Sequence, residues 1–192
     1  MTSWTADLHQ RDGMTTDFPP TLLDAIAFAA RAHRSQVRKD GQTPYVSHVF
    51  RVCLIVRHLF GVTDSDVLTA AVLHDTIEDT TTDYDDLQER FGDIVAGWVA
   101  LLSKDKRQVD EQREKAYTRG LSRAPWQVKV CKLADIYDNL SDSRHLSEAA
   151  RQRTLDRVKK YMSALETDLP TQARRPFEIV SALVAIIESA PA

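Results

Sequence analysis

Apolar residues recur along this chain at helical spacing, and no strand-like alternation of useful length interrupts them. Leu22, Leu23, Ile26, Ala29 and Ala30 mark one face of a first helix that starts at Thr21 and fades near Val37. Arg38 to Pro44 follows as a loop with Gly41 at its centre. Tyr45 to Phe60 predicts a second helix, closed by Gly61 as its C-terminal cap. Thr63 or Asp64 caps a third, which runs to about Asp79. A shorter helix spans Asp83 to Phe91, and Gly92 separates it from the apolar stretch Ile94 to Leu102. Residues 104–119 are dense in charge with little apolar stripe, so they read as a solvated helix or a mobile connection. Pro125 opens a helix through Leu140. Two more follow, Ser147 to Glu166 and Thr171 to Glu188, with Pro170 between them. The expected fold class is all-α.

Length and composition fit one domain. The chain has 192 residues, 43% of them hydrophobic and 28% charged, with a formal net charge of −3. That balance lacks the basic excess of a duplex nucleic-acid surface. No apolar run reaches the roughly 18 residues that span a bilayer. Residues 1–20 carry no apolar period and end in Pro19-Pro20, which predicts a flexible tail ahead of a single helical domain over 21–190. The opening residues also lack the basic and apolar regions of a signal peptide. Cys53 and Cys131 both fall inside apolar helical patterns and read as buried thiols. A reducing, cytoplasmic setting is expected.

The chemistry concentrates in Leu73-His74-Asp75-Thr76-Ile77-Glu78-Asp79. On one helix, His74 and Glu78 are four apart, and Asp75 lies three before Glu78 and four before Asp79. Ionisable groups so crowded are costly to bury without a compensating charge, which a divalent cation supplies. Acids at a helix C-terminus also oppose the macrodipole, so Glu78 and Asp79 are poorly placed for stability alone. An adjacent imidazole and carboxylate suit Mn²⁺ or Fe²⁺ better than a structural zinc site. The further order is similar to that of the HD superfamily: His48 on the preceding helix, then His74-Asp75, then a distant Asp135 on a later one.

A closer resemblance rests on longer pieces. They are Ala29-Ala30-Arg31-Ala32-His33-Arg34, Arg38-Lys39-Asp40-Gly41, Thr43-Pro44-Tyr45 through His48, Ala70 through Thr80, Lys132-Leu133-Ala134-Asp135, and Asn139-Leu140. Over about Leu22 to Tyr161 the chain resembles the small alarmone hydrolases, free-standing relatives of the hydrolase domain in the bifunctional Rel/SpoT proteins. The resemblance implies a single-domain HD-type helical bundle that hydrolyses the 3′-pyrophosphate of (p)ppGpp, giving pyrophosphate and GDP or GTP. It implies one Mn²⁺ per chain, held by His48, His74, Asp75 and Asp135. It implies that Glu78 and Asp79 handle the water and its proton. Arg38 and Lys39 would line the nucleotide site, and Asn139 and Tyr161 would contact the sugar-phosphate. Family members also use a basic residue near the phosphates somewhere in the segment that corresponds to 104–119. The match covers hydrolase sequence alone, so the expected role is to degrade alarmone and not to make it.

Plainer readings stand beside these. His33 either orients the Arg38 loop or packs in the core, Tyr161 can be simple helix packing, and His58 and His145 read as surface residues. The cations of 104–119 read as a solvated face. The competing functions are an HD phosphohydrolase for another nucleotide and a nucleotide-binding sensor without chemistry. The expected partner is a small nucleotide, with no nucleic acid and no membrane. Guanine or adenine preference and oligomeric state stay open; no residue is identified that reads a base edge, so (p)ppApp is a candidate substrate as well.

Overall fold

The computed structural model describes residues 20–143 and 146–189. The expected tail over 1–20 falls almost wholly outside the described residues, as does His145. Helix α1 (Pro20–Ala32) is shorter than its apolar pattern suggests. The chain then turns, and an isolated bridge pairs Val37 with Pro44. Within that loop the Arg38 N–H donates to the Thr43 carbonyl at 2.7 Å. Asp40 accepts from the N–H groups of Gln42 and Thr43 at 2.9 Å each, and Gly41 takes φ 75°, which a side chain would resist.

Helix α2 (Val46–Leu54) continues into a π-helical turn over Ile55–Leu59. The Phe60 N–H reaches the Ile55 carbonyl at 2.9 Å, and Gly61 at φ 73° ends the segment as the sequence suggests. Asp64 caps α3 (Ser65–Leu73) by accepting from the N–H groups of Asp66 and Val67. Every residue from Val67 to Leu73 is buried, the polar Thr69 included, so this stretch of α3 sits inside the core.

The third helix does not run unbroken to Asp79. It stops at Leu73, and a single turn, α4 (Thr76–Asp79), follows. Side chains take the carbonyls there: Thr76 Oγ1 donates to Leu73 O at 2.7 Å, and His74 Nδ1 bonds Ala71 O at 2.8 Å. Helix α5 (Tyr84–Leu102) starts with a reciprocal capping box between Asp83 and Asp86 and kinks at Gly92, φ 84°. Helices α6 (Asp110–Arg123), α7 (Trp126–Ser141), α8 (Glu148–Glu166) and α9 (Thr171–Ser189) complete the bundle. Helix α9 tolerates Pro176 in its second turn.

Helix α7 is the axis of the domain, with α2, α3, α5 and α9 packed around it. It buries Val128, Val130, Cys131, Leu133, Ala134, Ile136 and Leu140. Each valine, leucine or isoleucine among them is worth about 1.5–3 kcal/mol on burial. The polar face of the same helix carries Lys132, Asp135, Asp138 and Asn139; Asp138 meets α2, while Asn139 and the C-cap residue Asp142 meet the Arg38 loop. Both cysteines are free thiols, Cys131 buried and Cys53 half-buried. Among the described residues no helix is long and apolar enough to cross a membrane.

Candidate metal centre

The break between α3 and α4 turns His74 and Asp75 inward. With Nδ1 bonded to the Ala71 carbonyl, His74 presents Nε2 to the interior. His48, fully buried on the first turn of α2, has its Nδ1 2.6 Å from Asp138 Oδ2, so its Nε2 also faces inward. Asp75 Oδ2 lies 3.0 Å from His74 Nε2 and 3.4 Å from His48 Nε2. Asp135 Oδ1, from α7, lies 3.2 Å from His48 Nε2 and 3.8 Å from His74 Nε2. Ligand atoms of His48, His74 and Asp135 fall within 4.8 Å of one another, a spacing that one metal ion can bridge.

The donor set fits a cation. Both Nε2 atoms are buried without a hydrogen-bond partner, which is costly unless something positive lies between them and the carboxylates. Burial opposes charge on His48 and His74, yet the surrounding carboxylates outweigh it. His48 is pushed well above its ordinary value and His74 to about 9. Burial likewise opposes charge on Asp75 and Asp135, but the imidazoles, and for Asp135 the Lys132 ammonium, hold both well below the usual carboxylate range. The pocket therefore demands positive charge, and a divalent ion meets that demand in place of protons.

A second layer fixes these groups. Tyr45 donates its hydroxyl to Asp75 Oδ2 at 2.6 Å. Lys132 Nζ donates to Asp135 Oδ2 at 2.7 Å, and Asn139 Nδ2 donates to Asp135 Oδ1. Lys104 and Lys132 place their ammonium groups 5.1–5.3 Å from the ring centres of both Tyr117 and Tyr161. Glu114 accepts from Lys104 and from the Tyr161 hydroxyl, at 2.8 and 2.7 Å.

Next to this centre is a cavity of about 230 Å³. Asp75, Glu78, Asp79 and Asp135 line one side of the chemistry; Arg38, Lys39, Lys104, Lys132 and Arg157 supply the cations. Glu78 accepts the Lys104 backbone N–H at 2.9 Å. Burial nevertheless holds its carboxyl above the ordinary value. Asp79 pairs with Lys106 Nζ at 2.6 Å. Arg38 donates to Asp142 Oδ2 at 3.0 and 3.1 Å and to Asn139 Oδ1 at 3.2 Å, and it lies 5.7 Å over the Tyr45 ring.

All ten residues singled out from the sequence thus surround one centre and its cavity, although Asn139 and the Tyr161 hydroxyl are engaged by protein groups. Sequence reasoning missed Tyr45, Lys132, Asp138 and Arg157. Lys132 and Asp138 were detectable in principle, three residues either side of Asp135 on one helix face. The solvated-face reading of 104–119 fails for Lys104, whose side chain the α5–α6 connection turns into the cavity wall. His33 is buried, bonded to Gln36 at 2.7 Å and packed 4.9 Å from the Tyr45 ring, while Gln36 in turn donates to the Asp79 carbonyl. It packs in the core, and through Gln36 it reaches the Asp79 main chain.

The HD domain family matches residues 25–165. The guanosine-3′,5′-bis(diphosphate) 3′-pyrophosphohydrolase MESH1 of Drosophila melanogaster is 39% identical over 122 residues, covering 63% of this chain and 68% of that protein. The human protein of the same name is 42% identical over the same length and shares. A solved structure described as a metazoan ortholog of SpoT that hydrolyses ppGpp superposes with a TM-score of 0.80 at 28% identity, covering 88% of this chain and 96% of that one.

Proposed function

This chain belongs to the HD-domain family and groups with its guanosine-3′,5′-bis(diphosphate) 3′-pyrophosphohydrolases, and from that membership we propose that it removes the 3′-pyrophosphate of (p)ppGpp, releasing pyrophosphate and GDP or GTP. The observation that carries the reading is the pair of buried, partnerless imidazole nitrogens facing two carboxylates beside a cavity rich in cations. The residues that would hold the ion are His48, His74, Asp75 and Asp135, and we assign one Mn²⁺ per chain on the mixed nitrogen and oxygen donors. Such an ion supplies Lewis acidity toward a phosphate oxygen and acidifies water.

The chain's own groups perform the rest. Glu78 is the base for the attacking water, since a carboxylate raised by burial takes a proton more readily than an ordinary one. The water oxygen bonds the phosphorus attached to the 3′ oxygen, the bond from phosphorus to that 3′ oxygen breaks, and pyrophosphate leaves intact. Asp79, paired with Lys106, serves as Glu78's partner or returns a proton to the 3′ oxygen. Lys104 and Lys132 face the cavity and offset the charge that builds on the phosphates. Arg38, backed by Tyr45, offers a planar surface for a base, and stacking tolerates either purine, so (p)ppApp belongs to the substrate set.

Incubating the Mn²⁺-loaded protein with ppGpp, ppApp and GTP in ¹⁸O-water tests the scheme. Label in the pyrophosphate, none in the nucleoside 3′-oxygen, and little action on GTP are expected. Equal rates on GTP and ppGpp would favour an HD phosphohydrolase of another specificity. A sensor without chemistry is disfavoured by the presence of all four candidate ligands together with Glu78 and Asp79. We place the protein in the cytoplasm, where its nucleotide substrate is found.

A further inference from the structure

The cavity does not end at the metal centre. Its outer wall continues into a second cleft of about 270 Å³, and the two share Lys39, Leu146, Thr154 and Arg157. The second cleft adds Ala150 and Arg153, so Arg153 is the cation that lines this annex alone. Arg153 and Arg157 are four residues apart on α8 and therefore share a face. Lys39 comes from the Arg38–Pro44 loop opposite.

Lys39, Arg153 and Arg157 have no hydrogen-bond or ion-pair partner among the described residues. The acids that approach them are taken. Asp142 is bonded by Arg38 and Arg51. Glu114 is bonded by Lys104 and Tyr161. Burial, then the like charges of Arg157 and Arg38, lower the Lys39 ammonium from its ordinary value. Asp142 attracts Lys39 and Glu114 attracts Arg157, but neither bonds them; three cations therefore share one cleft without a directly bonded carboxylate, and a polyanion relieves their mutual repulsion. Two guanidiniums can also fork phosphate oxygens, which a lysine pair cannot.

We propose that this annex holds the 5′-polyphosphate of the nucleotide whose 3′-pyrophosphate lies at the metal centre, and that Arg153 sets the preferred length of that 5′ arm. The inference rests on the alarmone reading above. Lys39 and Arg157, which border both spaces, hold the phosphates nearest the ribose. Arg153 meets those farther out, so it distinguishes a triphosphate or diphosphate arm from a monophosphate.

The test is a substrate series: guanosine 3′-diphosphates with no, one, two or three 5′ phosphates, with kcat and KM measured separately. KM should fall as the arm lengthens. Arg153→Ala should raise KM for the two longest members by about fivefold, as expected for one solvent-exposed charge-assisted contact. Arg153→Lys should recover part of the loss. Thermal melting checks the fold of each variant. A KM that is flat along the series, or an Arg153→Ala protein that keeps the full gain, would overturn the proposal. If no member of the series is hydrolysed, the alarmone reading fails on its own, and calorimetric binding of GTP, GDP and guanosine decides the annex. Tighter binding with each phosphate, lost in Arg153→Ala, supports it, and equal binding of the three refutes it.

Discussion

His48 Nδ1 lies 2.6 Å from Asp138 Oδ2, and this contact determines which nitrogen of His48 faces the other candidate ligands. Arg51 clasps the same carboxylate through Nε at 2.6 Å and Nη2 at 3.0 Å, so Asp138 is held from both sides. A metal-ligating histidine commonly depends on such an outer carboxylate for its tautomer and orientation.

Asp138→Asn keeps an acceptor for the imidazole N–H but loses the charge, and Asp138→Ala loses both. Metal affinity, read by competition with a chelator, should fall by about 10–100-fold in the alanine variant and less in the asparagine one. Wild-type affinity in Asp138→Ala would show that His48 is oriented without it.

Removing the metal should lower the melting temperature. An ion at about 100 times its dissociation constant adds about 2.7 kcal/mol, which for a domain of this size is roughly 5–10 °C. Asp75→Ala should lose both this response and turnover. Stoichiometric metal with full activity in Asp75→Ala would sink the ligand assignment.

Glu78→Gln should cut kcat by about 10²–10⁴ while the metal stays bound. Because burial raises the Glu78 carboxyl, the acid limb of the wild-type profile should lie above the ordinary 4.5. The same shift has a stability consequence of definite sign. The folded state binds this proton more tightly than the unfolded one, so the contribution is present below 4.5 and is lost as pH rises through the raised folded value. The Gln variant should lack that slope in a pH series of denaturant melts.

Lys129 is 1% exposed, and its ammonium donates to the carbonyls of Leu165 at 3.1 Å, Thr167 and Ser122. It ties the C-terminal ends of α6 and α8 to α7. Lys129→Met should cost about 2–4 kcal/mol by leaving those carbonyls unsatisfied, with kcat unchanged because Lys129 does not line the cavity. A loss under about 0.5 kcal/mol in urea unfolding would remove this role.

Much of the fold was legible because its signals are local. The Asp64 cap, Gly92 between two apolar stretches, Pro125 ahead of α7 and the start of α8 near Ser147 each rest on signals within one turn, and the structure has a cap, a kink within α5, a helix start and a cap at those positions. The π-helical turn over Ile55–Leu59 was not legible, since its apolar spacing scarcely differs from that of an α-helix. Nor was the break after Leu73, which arises when Thr76 and His74 compete for main-chain carbonyls.

The candidate site divides the same way. His74, Asp75, Glu78 and Asp79 are close in sequence, so helical spacing alone gathers them, and the motif order adds His48 and Asp135. Which groups orient, neutralise or crowd these residues was settled by contacts that no period reports. Asp138 meets His48 across 90 residues, and Arg38 meets Asp142 across 104. Lys104 and Lys132 meet between two tyrosines from different helices. The sequence by itself determined where most helices lie and which residues are the candidate chemistry, because caps, periods and motifs are properties of neighbouring residues. The tertiary structure alone decided tautomer, charge balance and cavity shape, because burial and Coulomb interactions depend on distance in space and not along the chain.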